Sequence, residues 1–333
     1  MKHFPSNIQK ISRDCLKVAL IISTTLISRY VYPQTAGDGG SLYSESNLLD
    51  FYRYDKTQPF EATLDTAKEL VLVHYKINVT FKSIHNETVT ARLYIPTWAT
   101  PETPTPCVFW LHGYGGNKDI PDEAFLILGP LGYAFMSLDA QYHGARHRPA
   151  KDIFSLDLVQ GRYALAQTVI DYRRAMDFLE TLPQIDSNRM GLIGASMGGI
   201  IGALLAGVDE RIKVAVLIAG GGDWEQIIRT SQHFTGPPLR DYLRGQYLIL
   251  HRFLDPVDPI NFIHRLKVPL ALQMHHGTED VTVPYATART LFDKAGEPKE
   301  FWSYSGKDHF SLFAGFNSYY IALRTIRWLK KYL

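Results

Sequence analysis

The strongest chemical signal in the sequence is a serine between glycines, in the run G-A-S-M-G-G at 194–199. An apolar segment at 190–193 precedes it and an apolar helical pattern follows, so Ser196 is predicted to lie on a tight turn between a strand and a helix. Side chains two residues away on either side would collide with the strand and the helix, which explains the glycines. Free N–H groups at the start of the helix favour an oxyanion there. The pattern indicates a nucleophilic serine rather than a plain glycine-rich helix start.

A serine hydroxyl is a weak nucleophile at neutral pH, so it requires a base within hydrogen-bonding distance and an acid that orients the base. In an α/β sheet both are expected just past the carboxyl ends of later strands, with the acid before the histidine. Asp280 follows the apolar segment at 270–274, and His309 follows the one at 301–304. The order predicts Ser196, Asp280 and His309 as a catalytic triad. Two neighbouring carboxylates, Glu279 and Asp308, could be mistaken for the acid, and Asp223 is a weaker competitor after an earlier strand.

Two backbone N–H groups are also needed to stabilise the charge that develops on the substrate oxygen. One is expected from Met197, directly after the serine. The other is expected from the loop H-G-Y-G-G-N at 112–117, which follows an apolar segment at 107–111. Glycines let this loop approach the substrate closely, and Tyr114 stands where its N–H would face the oxygen. Met197 and Tyr114 are therefore the predicted oxyanion hole.

Four further residues have weaker predicted roles. His143 lies in the loop after an apolar strand, where it either lines the substrate pocket or organises the loop. Trp224 opens an aromatic segment that is predicted to cover the pocket. His112 and His276 precede glycines in predicted turns and are expected to be structural, whereas His275 has no assigned role.

No cofactor or metal is expected. The histidines and carboxylates lack H-E-x-x-H or a comparable metal-ligand spacing. The glycines at 220–222 follow a predicted strand but lack the G-x-G-x-x-G pattern of dinucleotide sites. Of the two cysteines, Cys15 lies near the N-terminus and Cys107 in a predicted core strand, so no disulfide is expected.

The elements that must position these residues alternate between strands and helices. A hairpin is predicted from 69–81 and 89–95, a crossover helix over 160–182, and a last helix over 312–332. Further strands are predicted at 107–111, 133–138, 190–194, 214–218, 270–274 and 301–304. Their continuous apolar runs are typical of strands buried on both faces of a parallel sheet. The alternation predicts an α/β fold with a mostly parallel central sheet and helices on both faces.

One interval interrupts the alternation. Residues 224–258 carry two consecutive prolines and several aromatics, and they are predicted to form a small helical cap insertion over the carboxyl edge of the sheet. The expected organisation is a leader at 1–36, an N-terminal extension at 37–69 and a catalytic domain at 70–333.

Composition limits the class of protein. Of 333 residues, 46% are hydrophobic and 20% charged, which is typical of a globular protein and excludes disorder, collagen and coiled coil. The formal net charge of +2 comes from the N-terminus, since acidic residues outnumber basic ones by two beyond residue 36. No nucleic-acid partner is therefore expected.

The N-terminal segment has the pattern of a secretory signal peptide. An apolar run of 11 residues at 18–28 lies between Lys17 and Arg29, and cleavage is expected near Ala36 or Gly37. The run is shorter than the roughly 20 residues of a membrane-spanning helix. A secreted or periplasmic protein is expected, with no stable membrane span after cleavage. The alternatives are a retained N-terminal anchor or a buried terminal helix.

The sequence resembles the α/β-hydrolase superfamily, within it the dienelactone-hydrolase-like and prolyl-oligopeptidase-like esterases and peptidases. Four motifs carry the resemblance: H-G-x-G-G at 112–116, G-x-S-x-G-G at 194–199, H-G-x-x-D at 276–280 and D-H at 308–309. It covers about residues 70–333 and implies the α/β-hydrolase fold, with the triad and oxyanion hole at the positions given above. Dienelactone hydrolases have a cysteine in place of Ser196, which argues against their substrate. About 70 residues precede the core, too few for a propeller domain that excludes large substrates.

The expected activity is the hydrolysis of small to medium carboxylic esters, partly apolar or aromatic, by a serine enzyme that forms an acyl-enzyme. A serine peptidase or amidase with the same triad is the alternative, although no acidic cluster is evident for a peptide's N-terminal amine. A binding protein on a hydrolase scaffold is a third possibility, but such proteins normally lose a triad residue. The number of subunits is left open.

Overall fold

The computed structural model of the chain describes residues 45–65, 69–264 and 270–333. The expected leader at 1–36 lies outside the described residues. No helix within the described ranges is long and apolar enough to cross a membrane.

Strands and helices alternate along the described chain, as expected for an α/β protein. The helices are α1 (Glu45–Asp50), α2 (Asp122–Leu128), α3 (Leu158–Leu179), α4 (Met197–Val208), α5 (Trp224–Thr230), α6 (Gly236–Leu243), α7 (Leu248–Leu254), α8 (Tyr285–Lys294) and α9 (Phe316–Tyr332). The strands are β1 (Thr63–Leu64), β2 (Glu69–Val71), β3 (His74–Lys82), β4 (Thr88–Pro96), β5 (Thr105–Leu111), β6 (Ala134–Leu138), β7 (Ile185–Ala195), β8 (Ile212–Ile218), β9 (Ala271–Gly277) and β10 (Lys299–Tyr304).

All these strands belong to one sheet, in which six neighbouring strands are parallel. The order is β1-β3-β4-β6-β5-β7-β8-β9-β10, with β2 paired to β3, and the strands from β6 to β10 run in the same direction. The register pairs Leu111 with Gly194, Ala195 with Ile218, and Gly277 with Tyr304. The loops that follow β5, β7, β9 and β10 therefore leave the same edge of the sheet. The predicted mostly parallel sheet is confirmed.

Helices cover both faces of the sheet, because alternate residues of each buried strand point to opposite sides. Phe109 of β5 packs into the larger core with residues of α3 and α4. Its neighbour Val108 packs into a second core that includes Phe125 of α2 and Trp328 of α9. This burial on both faces explains the uninterrupted apolar runs of the central strands.

The antiparallel end of the sheet differs from the prediction in one respect. The hairpin of β3 and β4 is present, with Thr80 opposite Thr90. The segment 69–81, predicted as a single strand, is instead two strands, because the chain reverses after β2 and β2 pairs antiparallel with β3. The reversal passes through Leu72, which has a left-handed φ of 54°. Leucine is not a usual turn residue, so composition gives no sign of this turn.

Three α-helices are described between β8 and β9, in the interval predicted as a cap. They are α5, α6 and α7, and α5 contacts both of the others. Asp223 caps the amino end of α5, and its side chain accepts a hydrogen bond from the Gln226 N–H at 3.0 Å. Because β8 ends at the same edge as β7, this insertion starts beside the residues that follow the serine strand.

Candidate active site

Ser196 is the single residue between the end of β7 and the start of α4. Its backbone has a φ of 55° and a ψ of −117°, a strained conformation that costs a non-glycine residue about 1–3 kcal/mol. A Cβ added to Gly194 would lie 2.2 Å from the Gly198 oxygen, and one on Gly198 would lie 2.0 Å from the Leu111 oxygen. Only glycine fits these two positions, so the packing of strand and helix determines the glycine spacing of the motif.

The structure brings together the three residues predicted as a triad. The Ser196 Oγ lies 2.8 Å from Nε2 of His309, and Nδ1 of His309 lies 2.6 Å from Oδ2 of Asp280. A carboxylate accepts, so Nδ1 of His309 carries the proton and Nε2 is left to accept the serine hydroxyl. The serine follows β7, the aspartate follows β9 and the histidine follows β10, all at one edge of the sheet.

The carboxylate of Asp280 is buried and accepts several hydrogen bonds. Its Oδ1 accepts from the N–H groups of Thr282 and Val283, both at 2.9 Å. Its Oδ2 lies 3.4 Å from Nε2 of His276, in addition to His309. Burial opposes ionisation, but hydrogen bonds from His276 and His309 outweigh it and lower the pKa of Asp280 to about 2. The group is therefore ionised at neutral pH.

The other carboxylates considered for the acid lie elsewhere. Asp308 is exposed and accepts hydrogen bonds from the N–H groups of Phe310 and Ser311. Glu279 is exposed, and Asp223 caps α5. None of the three has a hydrogen bond or ion pair with His309 among the contacts of the described residues.

The two N–H groups predicted as an oxyanion hole lie next to Ser196 in the chain and in space. The loop after β5 passes against the serine, since a Cβ on Gly113 would lie 3.6 Å from the Ser196 Cβ. Met197 is the first residue of α4 and has no preceding turn of helix to bond with. In the described part of the chain, no acceptor is found for the N–H of Met197 or Tyr114. Both amides are available to a ligand.

His112 holds the backbone of this loop. Its Nδ1 donates to the Gly113 oxygen at 2.8 Å, and its Nε2 accepts from the Ala140 N–H at 3.2 Å. Burial lowers the pKa of His112 to about 4, so the ring is neutral and can have both roles. The Gly113 oxygen and the Tyr114 N–H belong to one planar trans peptide and point in opposite directions. Fixing the oxygen therefore fixes the direction of the N–H.

A cavity of about 460 Å³ opens above Ser196 and His309. Residues of the cap, of α4 and of the loops around β5 and β10 line it. Its aromatic lining consists of Tyr114, Phe154, Trp224, Phe234, Phe310 and Phe313. Its aliphatic lining consists of Met197, Ile200, Ile227, Ile228, Leu239 and Val283. The cavity is suited to an apolar or aromatic group attached to the reacting carbonyl.

The two residues predicted to bind substrate lie at different places. Trp224 lines the cavity, and its indole N–H donates to the Val257 oxygen at 2.9 Å. His143 does not line the cavity. Its Nδ1 lies 3.0 Å from the Gln141 oxygen and its ring packs edge-on against Tyr114, with centroids 5.3 Å apart. It lies in the loop after β6 and packs behind the loop that contains Tyr114, so of its two expected roles the contacts agree with loop organisation.

His276 lies in a different element from the one predicted, and several residues that line the cavity were not predicted to do so. His276 was expected in a turn, but β9 continues through Gly277, so His276 is a buried strand residue whose Nε2 donates to the Val283 oxygen at 2.8 Å. Phe154 and His233 line the cavity from segments without a recognisable motif. An apolar pair at 153–154 inside a polar loop was the only available signal for Phe154. No cluster of three metal-binding side chains occurs in the described residues.

A parallel sheet with a serine at a strand-to-helix turn, joined to a histidine and an aspartate after later strands, defines the α/β hydrolases. A family model described as acetyl xylan esterase (AXE1) matches residues 27–332. The chain therefore belongs to the acetyl xylan esterase (AXE1) family. It is a serine hydrolase that acts on carboxylic esters.

Individual relatives agree with this assignment. A putative esterase, YitV of Bacillus subtilis (strain 168), is 24% identical over 274 residues, which cover 75% of this chain and 99% of YitV. The putative hydrolase YtaP of the same organism is 29% identical over 143 residues, 39% of this chain and about half, 48%, of YtaP. A solved acetyl xylan esterase from Paenibacillus sp. R4 superposes with a TM-score of 0.72 at 20% identity, covering 91% of this chain and 97% of that one. This likeness shows the fold.

Proposed function

We propose that the protein hydrolyses small to medium esters through an acyl-enzyme formed on Ser196. The observation that carries the proposal is the hydrogen-bonded series from Ser196 through His309 to Asp280 at the floor of an apolar cavity. The ionised Asp280 accepts from Nδ1 of His309, which leaves Nε2 to accept the proton of the serine hydroxyl.

In the first half-reaction, Oγ of Ser196 attacks the carbonyl carbon while Nε2 of His309 takes the hydroxyl proton. The electron pair of the C=O double bond moves to oxygen, which receives hydrogen bonds from the N–H groups of Met197 and Tyr114. When the C–O bond to the alcohol breaks, His309 returns its proton to the departing oxygen. Asp280 keeps the imidazole in the required tautomer and stabilises its cationic form.

In the second half-reaction, His309 takes a proton from water and the resulting hydroxide attacks the acyl carbon. The same N–H groups stabilise the second tetrahedral intermediate. The bond between the acyl carbon and Oγ of Ser196 then breaks, His309 returns the proton to Oγ, and the carboxylic acid is released. No metal or cofactor enters these steps.

The cavity supports esters with an apolar or aromatic group larger than acetyl. An acetyl group fits such a site, in keeping with the family, but it leaves most of the 460 Å³ for the rest of the ester. None of the described residues that line the cavity is Asp or Glu, so they offer no counter-charge to a peptide's N-terminal ammonium. This observation favours an esterase over the aminopeptidase-type alternative.

The test combines active-site labelling with turnover. We expect a fluorophosphonate to label the wild type and Ser196→Ala to lose labelling and roughly 10⁵-fold or more of kcat on p-nitrophenyl butyrate. Ser231→Ala is a matched control, because Ser231 lines the same cavity but donates its hydroxyl to the Thr282 oxygen at 2.6 Å. It should be labelled. An unlabelled wild type would instead favour a binding protein.

Parallel assays separate ester from amide hydrolysis. Wild type would be compared on p-nitrophenyl acetate, p-nitrophenyl butyrate and aminoacyl p-nitroanilides. Esters should turn over much faster, because a departing amine is a poorer leaving group than a phenolate. Turnover of the anilides above that of the esters would replace the proposal with a peptidase.

We also propose that the chain is exported, with 1–36 as the leader, 37–69 as an N-terminal extension and 70–333 as the catalytic domain with its cap. The basic residues and the short apolar run at 18–28 support the leader. The intact mass of the protein recovered from culture medium or periplasm would locate a cleavage near Ala36. Uncleaved protein in the membrane fraction would favour the N-terminal anchor.

A further inference from the structure

Tyr114 is tied to a second loop by its side chain. Its hydroxyl donates to Oδ2 of Asp152 at 2.5 Å, and Oδ1 of the same carboxylate accepts from the Phe154 N–H at 2.8 Å. Burial and the bond to Asp152 both raise the pKa of the Tyr114 hydroxyl, so it stays protonated and remains a donor. One carboxylate thus joins the loop after β5 to the loop between β6 and α3.

The ring of Tyr114 is packed between three parts of the site. It stacks on Phe154 with an interplanar angle of 16° and a centroid distance of 5.7 Å. His233 and Phe234 of the cap contact it at 5.4 and 5.5 Å, and His143 lies behind it. The orientation of this ring therefore affects the oxyanion loop and the cavity wall together.

The backbone on either side of Tyr114 consists of glycines, so contacts from side chains are needed to hold it in one conformation. Gly113 precedes it and Gly115 and Gly116 follow it, and Gly115 has a φ of 76° with no atom within 4 Å of where a Cβ would lie. Glycines leave the backbone with many accessible conformations. His112 fixes the peptide before Tyr114 through the Gly113 oxygen. The hydrogen bond from the Tyr114 hydroxyl to Asp152 holds the side chain of Tyr114, which follows this peptide.

We propose that Asp152 is a positioning residue for the oxyanion hole: it holds the Tyr114 hydroxyl, and so directs the Tyr114 N–H, while it aligns the cavity wall through Phe154. The proposal rests on the esterase mechanism above. Asp152 need not touch the substrate. Its effect on kcat passes through Tyr114, and its effect on substrate binding passes through Phe154.

A double-mutant cycle tests the proposal. Tyr114→Phe keeps the ring and the backbone N–H but removes the hydroxyl, and Asp152→Ala removes the carboxylate. We expect each to lower kcat on p-nitrophenyl butyrate about 10-fold, the size of a lost hydrogen bond to a charged group. The double variant should lose no more kcat than either single variant. KM should rise in both variants that lack Asp152, because they also lose the bond to the Phe154 N–H.

Tyr163→Phe is the matched control. Tyr163 is about as exposed as Tyr114, 38% against 40%, and its hydroxyl also donates to a carboxylate, that of Glu87 at 3.1 Å. It does not line the cavity. We expect kcat and KM of this variant to stay within about two-fold of wild type.

A second readout separates positioning from general loosening of the fold. Butaneboronic acid forms a tetrahedral adduct with an active serine, so its Ki depends on the oxyanion hole. In Tyr114→Phe and Asp152→Ala, Ki should rise by the same factor by which kcat falls, while the midpoint of thermal unfolding stays near that of the wild type. If Asp152→Ala does not fold, Tyr114→Phe alone still gives this comparison.

Two results would overturn the proposal. Independent losses of kcat that multiply in the double variant would show that Asp152 does not act through Tyr114. Unchanged kcat and Ki in Tyr114→Phe would show that the hydroxyl does not affect the oxyanion hole. Fluorophosphonate labelling of Ser196 in wild type keeps either failure distinct from a failure of the esterase proposal.

Discussion

The charge on Asp280 determines how His309 is held. Burial alone would favour the neutral acid, and a protonated Asp280 could not accept the Nδ1 proton of His309 in the same way. Donors from His276, Thr282 and Val283 surround the carboxylate, and the pKa of Asp280 falls to about 2 because of its bonds to His276 and His309. His309 is thus oriented by a carboxylate that other residues keep ionised.

Replacement of this acid should therefore damage catalysis without removing the nucleophile. In Asp280→Asn the side chain is neutral and can donate, so His309 is favoured in the wrong tautomer, and kcat should fall by roughly 10⁴-fold. Steady-state turnover of p-nitrophenyl butyrate measures the loss. Glu279→Gln and Asp308→Asn are the controls, since these exposed neighbours have no bond to His309. A comparable loss in either control would contradict the assignment of the acid.

Ser196, Asp280 and His309 could be predicted from the sequence to lie together, because each follows a strong strand pattern. Their order along the chain also matches the order of strands in such sheets. Asp152 could not be found in this way. Its partner Tyr114 is 38 residues distant in sequence, and neither local periodicity nor turn chemistry reports a contact between two loops.

At the scale of elements, strand ends were the least predictable feature. The apolar pattern of β9 stops at Met274, yet the strand continues to Gly277 because its neighbour β10 pairs with it as far as Tyr304. Two histidines are thereby placed in the sheet, and His275 fits there because Gln273 and the Tyr304 hydroxyl satisfy its ring nitrogens at 2.9 Å. Such partners come from tertiary structure, which residue patterns do not encode.

The cap contributes a wall that divides two pockets. A small pocket of about 60 Å³ lies beside the main cavity, and both are lined by Phe154, Trp224, Ile228, Thr235 and Leu239. Trp224 and Phe154 pack edge-on with centroids 5.9 Å apart. The rest of the small pocket is largely aliphatic, so it would accept an apolar chain if the wall were opened.

We therefore expect Trp224→Leu to shift the preference of the enzyme towards longer apolar groups. Loss of the indole joins the two pockets, and the ratio of kcat/KM for p-nitrophenyl octanoate to that for the butyrate should rise about 10-fold, as when a pocket gains a methylene or more. Trp98→Ala, at an exposed tryptophan outside both pockets, is the control. An unchanged ratio in Trp224→Leu would mean that the small pocket does not receive substrate.

In the molecule as a whole, the candidate active site and the buried carboxylate of Asp209 lie at opposite edges of the sheet. Asp209 caps the carboxyl end of α4 just before β8 starts, whereas the candidate active site lies where the strands end. Arg211 donates to both oxygens of Asp209 at 2.9 and 2.8 Å, and Arg173 of α3 donates to Oδ2 at 2.8 Å. Burial opposes the charge, but these arginines lower the pKa of Asp209 to about 2.

This pKa predicts how stability depends on acid. Because the folded-state pKa of about 2 lies below the ordinary 3.8, the ionised group stabilises the fold above about pH 4, and this contribution is lost as pH falls towards 2. The shift corresponds to about 2 kcal/mol.

Asp209→Asn should lower the free energy of unfolding at pH 7 by at least about that amount and flatten its fall between pH 4 and 2. Urea denaturation at several pH values measures both effects, with Asp241→Asn, at an exposed position of α6, as the control. At pH 7 the folded variant should keep the wild-type kcat. Parallel stability curves for variant and wild type would contradict the assigned pKa, and a lower kcat would show that the two edges are coupled.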